Sequence, residues 1–272
     1  MNSPIGFRWL GVAGIELNRN NQILAIDPFF TRPPFGRLWL GRVSPDSQSI
    51  AEKMPKCDII LVTHAHWDHI MDVPEVVRNT GAVVAGSANT CRILEICGVP
   101  GNHINQVGVG DKFTFGHFQV EVLPAEHIHL PGFAAGVISP NLQPLLRLRD
   151  YRMDSCFNFL IEVDGFKMLV WSGLHPEPAP QAEVLFVGSG GKPDYYRSLL
   201  ARVQPRILVP IHWDDFFRPL SKPLWPFFGQ PRWALPPLSR LDMDRFTRMI
   251  RQIGDTRVFI PEIFQTYELR SL

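Results

Sequence analysis

The sequence of 272 residues lacks the marks of several protein classes. It has 27 lysine and arginine residues against 26 aspartate and glutamate residues, a formal net charge of +1. Nucleic-acid binding needs a clustered basic face, so we expect no nucleic-acid partner. No run approaches the ~18 apolar residues of a membrane-spanning helix, and the first residues lack a signal-peptide pattern. We therefore expect no transmembrane segment and a cytoplasmic location.

Cysteine is also scarce. Its four positions, Cys57, Cys91, Cys97 and Cys156, form no C-x-x-C pair and no disulfide framework spacing. Three of them lie in apolar strand or helix patterns and are predicted to be buried thiols. Low-complexity linkers and internal repeats are absent as well, and 45% of the residues are hydrophobic, enough for a substantial core. We expect a single domain over residues 1–272.

Apolar segments alternate in a way that favours a mixed sheet with helices outside it. The strand predicted at 58–63 precedes a helix that Asp72 caps, with Glu75 completing a capping box. The strand at 82–85 precedes a helix that begins at Ser87. Further strands are predicted at 7–17, 22–26, 113–115, 118–123, 156–163, 166–171, 184–187, 206–211, 257–260 and 263–268, and further helices near 194–203 and 242–253.

Two proline-rich apolar segments, 128–150 and 216–237, interrupt this pattern. Proline lacks the amide donor of a regular helix or central strand, so these are predicted to be ordered loops. They can extend the core, form a homo-oligomer interface, line a substrate channel or touch a membrane. A pocket wall or lid is favoured over membrane contact, because Arg218, Lys222 and Arg232 are too few for a polybasic anchor.

Residues 64–69 carry the strongest chemical pattern of the chain. They read His-Ala-His-Trp-Asp-His and follow the strand predicted at 58–63. Imidazole nitrogens and carboxylate oxygens are good ligands for zinc and similar divalent ions. The alternative, a solvated polar loop, fits poorly with four ligand-type residues between a strand and a capped helix. The segment therefore predicts a metal site.

Other ligand-type residues stand singly where predicted strands end, and loops at one edge of a sheet would bring them together. The four are Asp27, His127, His175 and His212. His129 is an alternative to His127. Asp27 is interpreted as a residue that holds a ligand histidine in its tautomer. His103 and His117 are expected on the surface, and Asp214 and Asp215 in a solvated loop.

The hexapeptide matches the HxHxDH signature, and the chain thereby resembles the metallo-β-lactamase superfamily. Residues 9–14 and 23–28 resemble the opening of its metal-dependent hydrolase branch, which includes ascorbate-6-phosphate lactonase and N-acylphosphatidylethanolamine phospholipase D. Pro210-Ile211-His212 resembles the final histidine motif, so the resemblance covers roughly residues 7–215. It implies an α/β (α+β) fold, a four-layer αββα sandwich.

The resemblance also implies a ligand set and a reaction. One metal would be held by His64, His66 and His127, and the other by Asp68, His69 and His212. A metal-bound hydroxide would be the nucleophile, and Asp68 would also orient it and accept its proton. The expected cofactor is one or two divalent ions per chain, zinc first, with manganese or iron as alternatives.

One departure from the family pattern affects this ligand set. The family has Gly-Asp-Thr after the strand at 166–171, and that aspartate bridges the metals, whereas this chain has Ser-Gly-Leu-His at 172–175. Leu174 stands at the aspartate position and has no ligand atom. Either His175 replaces one of its bonds and has a catalytic role, or the site is weaker or mononuclear, or hydrolysis has been lost. Val12 stands where the branch often has histidine.

The resulting functional hypothesis is a metal-dependent hydrolase of a phosphodiester, lactone or ester. The apolar loops favour a lipophilic small-molecule substrate, although a fold analogy fixes no substrate. One rival is a lactonase or phosphodiesterase for a small polar metabolite. The other is a non-catalytic binding protein on a degenerate scaffold.

Overall fold

The computed structural model describes residues 4–34, 36, 41–127, 134–139, 141–173, 178–227 and 240–272. The strands in chain order are β1 (Gly6–Gly11), β2 (Gly14–Arg19), β3 (Gln22–Ile26), β4 (Ile59–Leu61), β5 (Val83–Gly86), β6 (Ile104–Gln106), β7 (Lys112–Phe115), β8 (Phe118–Ala125), β9 (Cys156–Val163), β10 (Phe166–Trp171), β11 (Val184–Gly188), β12 (Ile207–Ile211), β13 (Arg257–Val258) and β14 (Thr266–Glu268). The α-helices of the described residues include α1 (Ser47–Lys53), α2 (Trp67–Ile70), α3 (Val73–Thr80), α4 (Ala88–Ile96), α5 (Pro193–Val203) and α6 (Met243–Ile253).

The first sheet has the strand order β14-β1-β2-β3-β4-β5-β6. Its strands from β14 to β3 are antiparallel, and those from β3 to β6 are parallel. The parallel half contains the predicted strand–helix rhythm after residue 58. The single strand predicted over 7–17 is wrong, because the chain turns at Val12 and Ala13 and forms an antiparallel pair there.

The second sheet has the order β13-β12-β11-β10-β9-β8-β7. Its strands from β7 to β10 are antiparallel, and those from β10 to β13 are parallel. A turn at Asp164-Gly165 joins β9 to β10, with both residues at positive φ. Each sheet therefore ends in a parallel half whose strands point their carboxyl ends the same way.

The apolar residues form three buried clusters that correspond to a layered sandwich. The largest lies between the sheets, where Phe7 of β1 meets Phe186 of β11 at 5.2 Å between ring centroids. The second packs the outer face of the first sheet against α1 to α4, and the third packs the outer face of the second sheet against α5 and α6. This is the αββα arrangement that the resemblance implied.

The two predicted helix starts have different outcomes. Ser87 accepts the amide of Thr90 and caps α4, as predicted. Asp72 precedes α3, but its side chain makes no capping hydrogen bond. It accepts hydrogen bonds from the amides of Phe30 and Thr31, at 2.6 and 2.7 Å, and from the Thr31 hydroxyl. The predicted capping box is therefore wrong, because donors from a distant loop occupy the carboxylate.

Two composition-based expectations can be compared with the described residues. Cys57, Cys91 and Cys156 are buried free thiols, which confirms the prediction of three buried thiols, and Cys97 is half-buried. Within the described ranges, none of the helices has both the length and the apolarity needed to cross a membrane.

Candidate metal centre

Strand ends from both sheets bring the candidate residues to one end of the sandwich. Asp27 follows β3, and the 64–69 segment follows β4 in the first sheet. His127 follows β8 and His212 follows β12 in the second sheet. The structure thereby places side chains from across the sequence beside the hexapeptide, at the carboxyl ends of these strands. The strand-end argument predicted this convergence.

The first cluster contains His64, His66 and His127. Ring centroids are 4.5 Å apart for His64 and His66, 4.7 Å for His64 and His127, and 4.9 Å for His66 and His127. One ligand-type nitrogen from each ring lies within 4.8 Å of the other two. Three imidazoles at these separations have the geometry of ligands around one ion.

The second cluster contains Asp68, His69 and His212, whose ligand-type atoms also lie within 4.8 Å of one another. Oδ2 of Asp68 is 3.2 Å from Nε2 of His212 and 3.7 Å from Nε2 of His69. The two clusters adjoin, because the rings of His64 and His69 have centroids only 3.9 Å apart. The geometry is thus that of two neighbouring three-ligand groups.

Asp27 and Thr63 fix the tautomers of one histidine in each cluster. Asp27 accepts the amide of Thr63 at 2.8 Å, its hydroxyl at 2.5 Å, and Nδ1 of His69 at 2.8 Å. Since the Thr63 hydroxyl gives its hydrogen to the carboxylate, it accepts from Nδ1 of His64 at 3.0 Å. Both rings then turn an unprotonated Nε2 away from this network. The predicted contact between Asp27 and a histidine is thereby confirmed.

His66 is oriented the opposite way. Its Nε2 lies 3.0 Å from the carbonyl oxygen of Ala134, which can only accept a hydrogen bond. Nε2 therefore carries the proton, and Nδ1 remains as the lone-pair nitrogen of this ring. The first cluster thus offers two unprotonated nitrogens from the same hexapeptide, Nε2 of His64 and Nδ1 of His66.

Burial and neighbouring charges perturb the titration of these residues. Burial lowers the pKa of His64 well below its usual range, and neighbouring imidazoles lower it further; burial also lowers the pKa of His66. Burial opposes ionisation of Asp68, yet the charges of His69 and His212 hold its pKa well below the usual value. Burial likewise opposes a charged His69, but Asp27 and Asp68 raise its pKa.

These donors fit divalent metal ions. Nε2 of His64 is buried and has no hydrogen-bond partner among the described residues, and an orphaned buried nitrogen is costly unless something binds it. A neutral His64 suits a metal ligand, which needs an unprotonated nitrogen. The sets His₃ and AspHis₂ are both ordinary for zinc and related ions.

An aromatic group covers one side of the second cluster. The Trp67 ring contacts Phe29 edge-on at 5.4 Å and Phe216 at 5.5 Å, and it stacks on Phe217 at 5.9 Å. Phe216 also lies edge-on to His212 at 5.8 Å. The described part of the 216–237 loop therefore packs against the hexapeptide and His212, which agrees with its predicted position as a wall of the site.

A cleft of about 480 Å³ opens beside the first cluster. The candidate ligands His66 and His127 line it together with residues that are mostly apolar, among them Val109, Ala134, Met153 and Phe157. Ala135 also lines it and is exposed. A small molecule in this cleft would lie next to both histidines.

Several residues of the site were missed or misjudged at the sequence level. The solvated loop predicted for Asp214 is wrong: its side chain is fully buried and forms an ion pair with Arg32. Asn158 accepts the amides of Ser172 and Gly173 at 2.7 and 3.1 Å. Nothing in the local pattern marks Asn158, whereas Thr63 could have been noticed as a hydroxyl next to the hexapeptide. His129, Leu174 and His175 lie outside the described residues.

The comparisons agree with this fold and site. A family model described as a beta-lactamase superfamily domain matches residues 22–167, more than half of the chain. A metal-dependent hydrolase of Anaeromyxobacter sp. strain K is 27% identical over 227 residues, covering 76% of this chain and 74% of that protein. The chain belongs to the metallo-β-lactamase superfamily and is a metallo-hydrolase of that superfamily, as its sequence predicted.

Solved structures share the fold at low sequence identity. A metallo-hydrolase from Ignicoccus hospitalis has a TM-score of 0.64 at 18% identity, covering 97% of this chain and 98% of that one. The diiron β-hydroxylase CmlA from Streptomyces venezuelae has a TM-score of 0.62 at 13% identity, covering 98% of this chain and 55% of that one. The fold prediction, an αββα sandwich, is thereby confirmed.

Proposed function

We propose that the chain hydrolyses a phosphodiester, lactone or ester of a small molecule, with an apolar part of the substrate in the cleft beside His66 and His127. The observation that carries this proposal is the pair of adjoining three-ligand clusters, each with its ligand-type atoms within 4.8 Å of one another. Bound divalent ions supply Lewis acidity and lower the pKa of water toward neutrality.

In this proposal the chain's own residues hold the metal ions and orient the attacking water. His64, His66 and His127 would hold one ion, and Asp68, His69 and His212 would hold the other. Asp68 stays ionised because its pKa is held low, so its carboxylate can orient the attacking water. The proposal also assigns to Asp68 the proton that this water gives up. The role predicted for His175 stays a prediction, as do the single-domain organisation, the cytoplasmic location and homo-oligomerisation.

The apolar lining supports the substrate side of the proposal. Apart from the two histidines, the cleft is lined mostly by apolar residues such as Val109, Met153 and Phe157, with Glu126 and Asp154 as its acidic side chains. Apolar walls with a few polar groups are typical of ligand pockets. The aromatic group around Trp67 packs against His212 of the second cluster through Phe216. We therefore place the apolar substituent in the cleft and the scissile bond at the clusters.

Metal content and turnover test the proposal together. Protein purified without added metal is expected to hold about one to two equivalents of zinc, manganese or iron by elemental analysis. It should hydrolyse a member of a panel of bis(p-nitrophenyl) phosphate, lactones and acyl esters. The double variant His64→Ala with His66→Ala should lose both metal and turnover. Metal-free protein of normal stability would contradict the proposal.

The cleft is tested separately with two variants of one loop. Ala135→Trp would fill the cleft, whereas Val137→Trp adds the same ring at a position that is 81% exposed and outside the lining. The first should lower kcat/KM at least about tenfold with unchanged metal content, and the second should leave both unchanged. Equal kinetics for the two variants would place the substrate elsewhere.

A further inference from the structure

A buried ion pair involves Asp214, the second residue after His212. Nη2 of Arg32 is 2.9 Å from Oδ2 of Asp214, and the two side chains are only 2% and 0% exposed. The desolvation of two charges offsets much of their attraction, so a buried pair is weak evidence for stability. The partners come from the segment after β3 and from the segment after β12, one strand in each sheet. The pair therefore joins the two sheets at the metal end of the sandwich.

The second oxygen of Asp214 reaches the turn between β1 and β2. Its Oδ1 accepts the amide of Val12 at 2.8 Å. The carbonyl oxygen of Val12 in turn accepts the amide of His212 at 2.7 Å. A short loop of contacts thus runs from Asp214 through Val12 back to His212, two residues earlier in the chain.

Two residues in this loop of contacts have a strained backbone. Val12 has φ of +47° and His212 has φ of +56°. A left-handed conformation is unusual for a β-branched residue, and it persists only where the surroundings determine it. The amide bonds to Asp214 and to Val12 are such determinants. They set the direction in which His212 leaves β12.

Arg32 completes the contact set. Its Nη1 donates to the carbonyl oxygen of Asp215 at 3.3 Å, so one guanidinium contacts both residues that follow Trp213. The imidazole of His212 then meets Asp68 at 3.2 Å in the second cluster. By contrast, the described contacts of the first cluster that orient its rings come from Thr63 and Ala134.

We propose that Arg32 and Asp214 are positioning residues that set the His212 imidazole for the second metal ion, and the inference rests on the proposed metal binding by that cluster. A general structural role would weaken both clusters alike. A positioning role weakens the second cluster selectively, because the described contacts of the pair lead through Val12 to His212.

Asp214→Asn tests the pair, since asparagine keeps the shape and an acceptor for the Val12 amide but removes the charge. Protein reconstituted with Co²⁺ is followed by elemental analysis and by its visible spectrum, which reports each bound ion. The variant should bind one Co²⁺ with wild-type affinity and the other at least about tenfold more weakly. Glu16→Gln is the matched control, because Glu16 is the buried partner of Arg8 in an ion pair of the first sheet. This variant should bind both ions like the wild type.

A second variant protects the test against misfolding. Arg32→Met combined with Asp214→Asn leaves no lone charge buried and should fold, since buried pairs are often replaceable without loss of stability. It should show the same selective loss. Two ions bound with wild-type affinity in both variants would overturn the inference and leave the proposed function intact. Wild-type protein that binds no Co²⁺ would overturn both.

Discussion

Oδ2 of Asp27 lies 2.8 Å from Nδ1 of His69, and the same carboxylate accepts the hydroxyl and the amide of Thr63. Thr63 in turn orients His64 of the other cluster. One buried carboxylate therefore determines which nitrogen of two histidines is available, one in each cluster. Its backbone lies at φ of +44°, a conformation that aspartate and asparagine tolerate better than most residues.

Asp27→Asn is expected to weaken metal binding about 10–100-fold, because the amide is a poorer acceptor for the two histidine-orienting contacts. The affinity is measured by competition with a zinc chelator. Asp58→Asn serves as the control, since Asp58 accepts the amide of Ile23 at 2.7 Å at the opposite end of β3. Wild-type affinity in Asp27→Asn would show that this carboxylate does not tune the site.

Asp72 is expected to make stability depend on pH. Burial raises the pKa of Asp72 from 3.8 to about 6, against the hydrogen bonds from Thr31 and Phe30 that lower it. The folded state then holds the proton more tightly than the unfolded state, so the contribution is present below pH ~4 and is lost as pH rises through about 6. The difference between a pKa of 3.8 and one of about 6 corresponds to about 3 kcal/mol.

The measurement is the difference between the unfolding free energies of the wild type and Asp72→Asn from pH 4 to 7. Titrations that both proteins share, including those of the histidines, cancel in this difference. The wild type should lose stability relative to the variant as pH rises across the window. A flat difference would mean that Asp72 titrates alike in the folded and unfolded protein.

The residues that the sequence predicted and those it missed differ in the range of their interactions. The hexapeptide, His127 and His212 follow strands, and strand ends are visible in local apolar patterns. The pairing of Arg32 with Asp214 joins residues 182 positions apart, and no local pattern distinguishes a buried charge from a solvated one. Asp72 was misjudged for the same reason, because its donors come from a loop 41 positions earlier.

The thiols are expected to be largely unreactive in the folded protein. Burial raises the pKa of Cys91 to about 11 and that of Cys156 to about 12, and it raises the pKa of Cys57 further. Reactivity follows the thiolate, so these three should not react with a disulfide reagent at pH 8. Cys97 is half-buried and should react slowly.

The count is made with Ellman's reagent before and after denaturation. One slow thiol is expected in the folded wild type, none in Cys97→Ser, and all four after the wild type is unfolded. Rapid reaction of a second thiol in the folded state would show that one of the buried positions opens readily.

Alanine substitutions at Gly11 and Gly81 distinguish the cost of backbone strain from the cost of close packing. Both have positive φ, +90° and +73°, so alanine is strained at either position. A Cβ at Gly81 meets nothing within 4 Å, whereas a Cβ at Gly11 would overlap Nη2 of Arg32 and lie 3.1 Å from Ile263. Gly81→Ala should cost about 1–2 kcal/mol, and Gly11→Ala about 1–3 kcal/mol more, because it also overpacks the guanidinium. Chemical denaturation of the two variants measures this difference, and equal losses would mean that Arg32 shifts at no cost.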